Sequence, residues 1–334
     1  MLVNLIRIIL FPVVPIYYLV TWLRNKLYNS GIKSSKSYDF PLICVGNLST
    51  GGTGKTPMIE YLIRLLKDEK SVATLSRGYK RITDGYALGD ENSTADTIGD
   101  EPYQFLRKFE NIRVAVDEDR QNGIEQLRAL SVKPEVILLD DAYQHRKVQA
   151  GFNILLTSYY QPYYRDIVLP TGNLREPRSG SDRADVIVVT KCPKHISKLE
   201  KKEMVSRLKL KPHQNAFFSH IDYSEKVYSK KNTLELNALP KFTLVTGIAN
   251  AKPLVDFLVE KGLNFDHIEY TDHYNFRPTD IEMLAKKGLI ITTEKDYVRL
   301  SDNEDLESNL YYLPINLKID DPKTFDKIIK SFVG

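Results

Sequence analysis

The sequence predicts an α/β protein: a parallel sheet core wrapped by helices, a second and smaller α/β unit, and an apolar helix ahead of both. Three observations predict this. Short apolar runs alternate with helix-patterned segments from residue 42 to residue 189. A polar stretch at 221–241 interrupts the alternation before it restarts. Residues 8–23 carry no charge at all.

The first element reads IILFPVVPIYYLVTWL. A helix crossing the hydrocarbon core needs about 20 apolar residues, and this run is shorter and contains Pro12 and Pro15. It is also a poor signal peptide. Its positive charges (Arg24, Lys26, Lys33, Lys36) follow the run more than they precede it, and no small-residue cleavage site is visible. Tyr17, Tyr18 and Trp22 are of the types that settle at headgroup level. The pattern predicts a retained anchor over residues 1–30, shallowly inserted or tilted, its basic flank on the anionic cytoplasmic side of a membrane. A buried core helix is the alternative.

The core is expected over 38–220. Strand-like runs fall at 42–45, 72–75, 112–116, 136–139, 154–156 and 186–189, with helical segments at 57–67 and 119–130. Runs without polar alternation belong to strands covered on both faces, hence to a parallel sheet with crossover helices. Residues 221–241 read as a hairpin or linker. A second α/β subdomain follows over 242–334, with strands near 242–246, 268–270, 289–292 and 311–314 and a helix near 252–260. Two such layers flanking a cleft are a common setting for a ligand.

Bulk composition narrows the function classes. At 334 residues, 42% hydrophobic and 27% charged, the chain has the make-up of a folded globular protein with a large core. A net charge of +4, evenly spread, argues against nucleic acid as the partner. Cys44 and Cys192 lack metal-ligand spacing and read as buried reduced thiols.

The chemistry is carried by VGNLSTGGTGKTP. An apolar strand runs into glycines and then into a helix, which is the context a phosphate-binding loop requires. Ser49 stands where the strict G-x-x-x-x-G-K-[ST] pattern asks for glycine, but Gly51-Gly52-Thr53-Gly54-Lys55-Thr56 is the glycine-pair form, with Thr50 where many members of that class carry another lysine. Backbone N–H groups of such a loop, with the helix N-terminus, cradle phosphate. Lys55 would reach the β- and γ-phosphates and Thr56 would offer its hydroxyl to Mg²⁺. The run EVILLDD supplies the matching acids, Asp140 and Asp141, at a strand end. Adjacent strand residues face opposite ways, so one of the two meets the metal and the other orients a loop or a second ligand. The strand VIVVTK continues as Cys192-Pro193 and lacks the aspartate of the guanine-reading N-K-x-D motif, which favours ATP. Three further segments, GDEP (99–102), LREP (174–177) and DHY (272–274), place titratable groups beside glycine or proline in presumed loops. A carboxylate hydrogen-bonded to a histidine is suited to accept a hydroxyl proton.

Taken in order, the short apolar N-terminus, VGNLSTGGTGKTP, SRGYKR (76–81), GDEP, LLDDAYQHR (138–146), GNLREP (172–177), DHY and TEKD (293–296) resemble the tetraacyldisaccharide 4'-kinases of lipid A biosynthesis over nearly the whole chain. The resemblance implies an α/β kinase core with a second subdomain on a two-stranded linker. It implies transfer of the ATP γ-phosphate to the 4'-hydroxyl of a tetraacylated glucosamine disaccharide 1-phosphate, with ATP and Mg²⁺ bound. It places Gly51, Gly52, Thr53, Gly54, Lys55, Thr56 and Arg175 at the nucleotide, and Thr56, Asp140, Asp141 and Glu176 on the metal side. Asp100 matches the proposed base, with His273 as its partner across the cleft. Arg77 and Arg146 lie in family motifs without an assigned ligand. The departures are Ala142-Tyr143 where the family has Gly-Phe, and Lys80 where glycine is common. An acceptor that stays in a bilayer explains why the N-terminus is apolar. The rival readings are a membrane-attached P-loop switch with no sugar-lipid acceptor and a soluble small-molecule kinase.

Overall fold

A computed structural model describes residue 7, residues 9–272 and residues 274–334. Nine strands form the larger sheet. From one edge the order is Ile315–Ile319, Asn215–Tyr223, Val186–Thr190, Phe152–Ser158, Leu42–Asn47, Val136–Asp140, Val72–Ser76, Ile112–Val116 and Ala87–Leu88. Every neighbouring pair is parallel except the two edge pairs. The central strands are buried along their whole length, as their unalternating apolar sequences require.

A six-stranded sheet lies beyond, ordered Thr233–Glu235, Lys226–Tyr228, Leu310–Leu313, Ile290–Thr293, Phe242–Thr246 and Phe265–Glu269. The polar stretch at 221–241 contains an antiparallel hairpin that forms this sheet's edge. Its own core gathers Leu244, Leu254, Leu258, Ile291 and Leu313.

The expected extent of the second subdomain, 242–334, runs too far. Ile315–Ile319 pairs antiparallel with Asn215–Tyr223 in the first sheet, and the helix Pro322–Val333 packs Phe325 and Ile329 into the first core. Alternation along Ile315-Asn316-Leu317-Lys318-Ile319 marks a strand but cannot name its partner. These two paired strands carry the chain out to the second sheet and back, in the manner of a two-stranded linker.

At the N-terminus a 3₁₀ turn, Phe11–Val13, leads into the helix Val14–Asn29. Pro12 and Pro15 sit in first-turn positions, where a missing N–H costs nothing, so they begin the helix rather than break it. Sixteen residues span about 24 Å at 1.5 Å per residue, and among the described residues no helix is long and apolar enough to cross a membrane. One face of this helix grips the protein. Tyr17 Oη donates to the Arg175 carbonyl (3.0 Å) and Asn25 Nδ2 to Glu176 (2.5 Å). The other face leaves Ile16, Leu19, Val20 and Leu23 in solvent, continuing the exposed Ile9 and Phe11.

Both cysteines are free and buried, and burial first of all pushes their thiols up, Cys44 to about 12 and Cys192 to about 11.

Candidate active site

Three structural neighbours meet at the carboxyl ends of the central parallel strands, the usual ligand position in such sheets. Leu42–Asn47 runs into the glycine loop, where Gly51 (φ +97°) and Gly54 (φ +88°) take left-handed backbone, and the helix Lys55–Leu66 starts directly behind them. That helix is fixed by its buried stripe of Met58, Ile59, Leu62, Ile63 and Leu66. The loop is pinned from the neighbouring strand end: Thr190 Oγ1 donates to the Thr53 carbonyl at 2.7 Å. On its other side Thr50 N donates to the Asn173 carbonyl (2.7 Å) and Arg175 N to the Leu48 carbonyl (2.7 Å).

Lys55 Nζ lies 3.6 Å from Asp141 Oδ2. Arg175 Nη1 holds the same carboxylate at 2.9 and 3.2 Å. Burial alone would raise Asp141, but the charges of Lys55 and Arg175 outweigh it and the carboxyl sits below its ordinary range. Asp140 contrasts with it. Its side chain is buried, Oδ1 has no hydrogen-bond partner, and burial, reinforced by the charge of Glu101, drives its pKa upward. The charges of Lys55 and Arg120 pull the other way without outweighing burial, so a cation at this carboxylate would favour its ionised form. Thr56 Oγ1 donates to Glu101 Oε1 at 3.0 Å, which places a second carboxylate at the same spot. Among the described residues no three His, Cys, Asp or Glu side chains form a ready-made cage. An all-oxygen set of one or two carboxylates and a hydroxyl, completed by substrate phosphate oxygens, is what Mg²⁺ takes. The residues present fit that ion.

Asp100 opens the helix Asp100–Lys108, one residue from Glu101, and so stands beside the phosphate loop. Gly99 before it has φ +92°, and a Cβ there would come within 3.1 Å of the Tyr79 carbonyl. Across the cleft, Arg299 of the second subdomain engages both Asp100 oxygens, Nε to Oδ1 at 3.1 Å and Nη2 to Oδ2. His273, the expected partner of Asp100, lies outside the described residues.

The structure gives Glu176 a place other than the metal side. Its carboxylate is fully buried and accepts from Arg183 at 2.8 and 3.0 Å, Gln144 at 3.0 Å and Asn25 at 2.5 Å. Both oxygens are thereby committed, and it serves as the anchor of the N-terminal helix. Burial would raise its pKa, yet the charge and hydrogen bonds of Arg183, with those of Gln144 and Asn25, hold it below the ordinary value. The ion pair stabilises the fold at pH above the ordinary glutamate pKa, and the contribution is lost as pH falls through the lowered one. Arg183→Met, which leaves the acid buried and unpaired, is expected to cost about 3–5 kcal/mol, read as a shifted denaturant midpoint.

The departures from family motifs resolve locally. Left-handed backbone falls on Asp141 (φ 49°), not on Ala142, so alanine suffices there. Tyr143 is buried and its hydroxyl donates to the Gly180 carbonyl at 2.9 Å. Lys80 does carry φ 63°, the conformation that favours glycine.

Beside the phosphate loop, between the two sheets, is a cavity of about 440 Å³ lined by Thr56, Glu101, Lys191, Tyr223, Asn250 and Leu313, among others. Lys191 Nζ lies about 4.0 Å from where a Cβ on Gly52 would stand, and burial lowers its pKa. In the sequence, VIVVTK bears only on base identity, and Glu101 has no motif role of its own. Adjacency to Asp100 in GDEP was the available signal for Glu101.

A model of the Tetraacyldisaccharide-1-P 4'-kinase family matches residues 6–333. The chain belongs to the tetraacyldisaccharide-1-P 4'-kinase family. The Tetraacyldisaccharide 4'-kinase of Flavobacterium johnsoniae is 52% identical over 99% of this chain and 98% of its own length. That of Bacteroides fragilis is 44% identical over 93% and 88%. The crystal structure of LpxK from Aquifex aeolicus in complex with ATP superposes with a TM-score of 0.80 at 30% identity, covering 98% of this chain and all of that one. Kinase membership gives the cluster around Lys55 and Asp141 its setting, and the two-sheet architecture is that of the solved relative.

Proposed function

We propose that the cleft between the two sheets transfers the γ-phosphate of ATP to the 4'-hydroxyl of tetraacyldisaccharide 1-phosphate, in lipid A biosynthesis. The observation that carries the proposal is the gathering of Lys55, Asp141 and Arg175 at the glycine loop, with Thr56 hydrogen-bonded to the residue beside Asp100. The glycine-loop N–H groups and Lys55 hold the phosphates, and Lys191 adds a cation above Gly52. The apolar wall of the cavity, with Tyr223 and Leu313, suits a flat base. Mg²⁺, when bound, neutralises charge on the phosphate oxygens; Asp140, Thr56 and Glu101 are the side chains that would hold it. Asp141 keeps Lys55 and Arg175 oriented. Asp100 accepts the proton of the 4'-hydroxyl as its oxygen bonds to the γ-phosphorus and the bond to the ADP oxygen breaks. ADP release is expected only when the disaccharide 1-phosphate is supplied; equal ADP release without it would make the protein a nucleotide hydrolase.

The acceptor is an amphiphile, and the N-terminal helix supports work at a lipid surface, on the cytoplasmic face of the bacterial inner membrane where ATP is available. Ile9, Phe11, Ile16, Leu19, Val20 and Leu23 form an exposed apolar stripe beside basic Lys26 and Lys33. Nucleic acid has no part in this reading. The double substitution Leu19→Glu, Val20→Glu is expected to cut co-sedimentation with anionic phosphatidylglycerol vesicles at least tenfold. Unchanged sedimentation would remove the helix from the membrane.

A further inference from the structure

We propose that Arg299 is the positioning residue for Asp100, so that the base of the first subdomain is oriented by a side chain of the second. The inference rests on the reading of Asp100 as proton acceptor. Asp100 begins a helix, and its Cγ torsion is not fixed by its own backbone. Arg299 supplies the constraint with a planar fork, Nε to one oxygen and Nη2 to the other. Two parallel bonds fix the carboxylate plane.

The fork is itself held. Arg299 Nη1 reaches Asp296 Oδ1 at 3.5 Å, and Asp296 is fully buried, accepting from Gly247 N (2.8 Å) and Thr293 Oγ1 (2.8 Å). Burial by itself would lower the Arg299 guanidinium, but its bonds to Asp100 and the charges of Asp100 and Asp296 more than compensate. Arg299 stands in the last turn of the helix Glu294–Leu300 and carries the positive charge of any arginine. The same helix meets the Asp100 helix a second time, where Lys108 joins Glu60 of the first subdomain (2.7 Å) to Glu294 of the second. The contacts that join the two subdomains thus include the one that orients the base. TEKD was legible in the sequence as a family motif, and its acid now has a purpose: it aims the arginine three residues on.

The test is a double-mutant cycle read as kcat and KM for each substrate, on the full-length protein in detergent with ATP and the tetraacyldisaccharide 1-phosphate. Arg299→Met is expected to lower kcat about 30- to 100-fold with both KM values within threefold. Arg299→Lys, which keeps the charge and one donor, is expected to recover part of that loss. In the Asp100→Asn background, adding Arg299→Met should cost less than threefold more, because the residue acts through the acid. An Arg299→Met loss that appears in KM for ATP, or that multiplies in full with Asp100→Asn, would overturn the inference while leaving the base intact. Near-normal kcat in Asp100→Asn alone would instead overturn the reading of Asp100, and with it the role of Arg299. Thermal unfolding of each variant identifies a loss that comes from misfolding.

Discussion

Replacing Lys55 by alanine is expected to lower phosphoryl transfer by about a hundred- to a thousandfold, the usual cost of removing one preorganised charge from a transition state. The ammonium sits at the first turn of the phosphate-loop helix with its side chain about one-tenth exposed, and Asp141 faces it at 3.6 Å. In that partly dry setting a charge on the transferring phosphate is less screened than in water, so the lysine's field acts on it more strongly there. Asp141 would then be left to Arg175 alone. Initial rates with labelled ATP, alongside unfolding curves to exclude a folding defect, decide the matter. Near-normal turnover would refute the phosphate-loop assignment.

Asp100→Asn is expected to lower kcat by about a hundred- to ten-thousandfold while the affinity for ATP changes by no more than a few-fold. The amide keeps the size of the carboxylate and one oxygen for hydrogen bonding, but it cannot take a proton. Because a proton acceptor is needed only as the hydroxyl reacts, its loss belongs in kcat. Equilibrium nucleotide binding measured beside turnover separates the two quantities. A parallel loss in both would make Asp100 a structural partner of Arg299.

Much of this was legible in the residues because it depends on local rules. Buried parallel strands announce themselves as apolar runs, and the strands at Ile112–Val116 and Phe242–Thr246 begin and end where the sequence places them. The glycine loop declares itself through positions that only glycine occupies easily, and Asp140 and Asp141 through acids ending an apolar strand. What was not legible depends on partners distant in the chain. The return of Ile315–Ile319 to the first sheet is a pairing over about a hundred residues, and no periodicity encodes it. The same holds for Glu176, whose neighbour Arg175 in GNLREP turns to Asp141 at the glycine loop while its own oxygens turn to Arg183, Gln144 and Asn25. Asp140 and Asp141 are alike as letters, and only burial and the positions of Lys55, Arg175 and Glu101 drive their pKa values apart. Arg299 stands 199 residues from Asp100, so its contact appears only once the two sheets are assembled.

The position of the transferred phosphate decides most directly between a lipid 4'-kinase and a nucleotide hydrolase. The full-length protein is incubated with Mg²⁺, γ-labelled ATP and tetraacyldisaccharide 1-phosphate in detergent, and the lipid is extracted and its phosphates located by ³¹P NMR and mass spectrometry. One new phosphate monoester, carrying the label, is expected on the 4'-oxygen of the distal glucosamine. Label recovered only as inorganic phosphate, or on any other hydroxyl, would contradict the 4'-kinase reading.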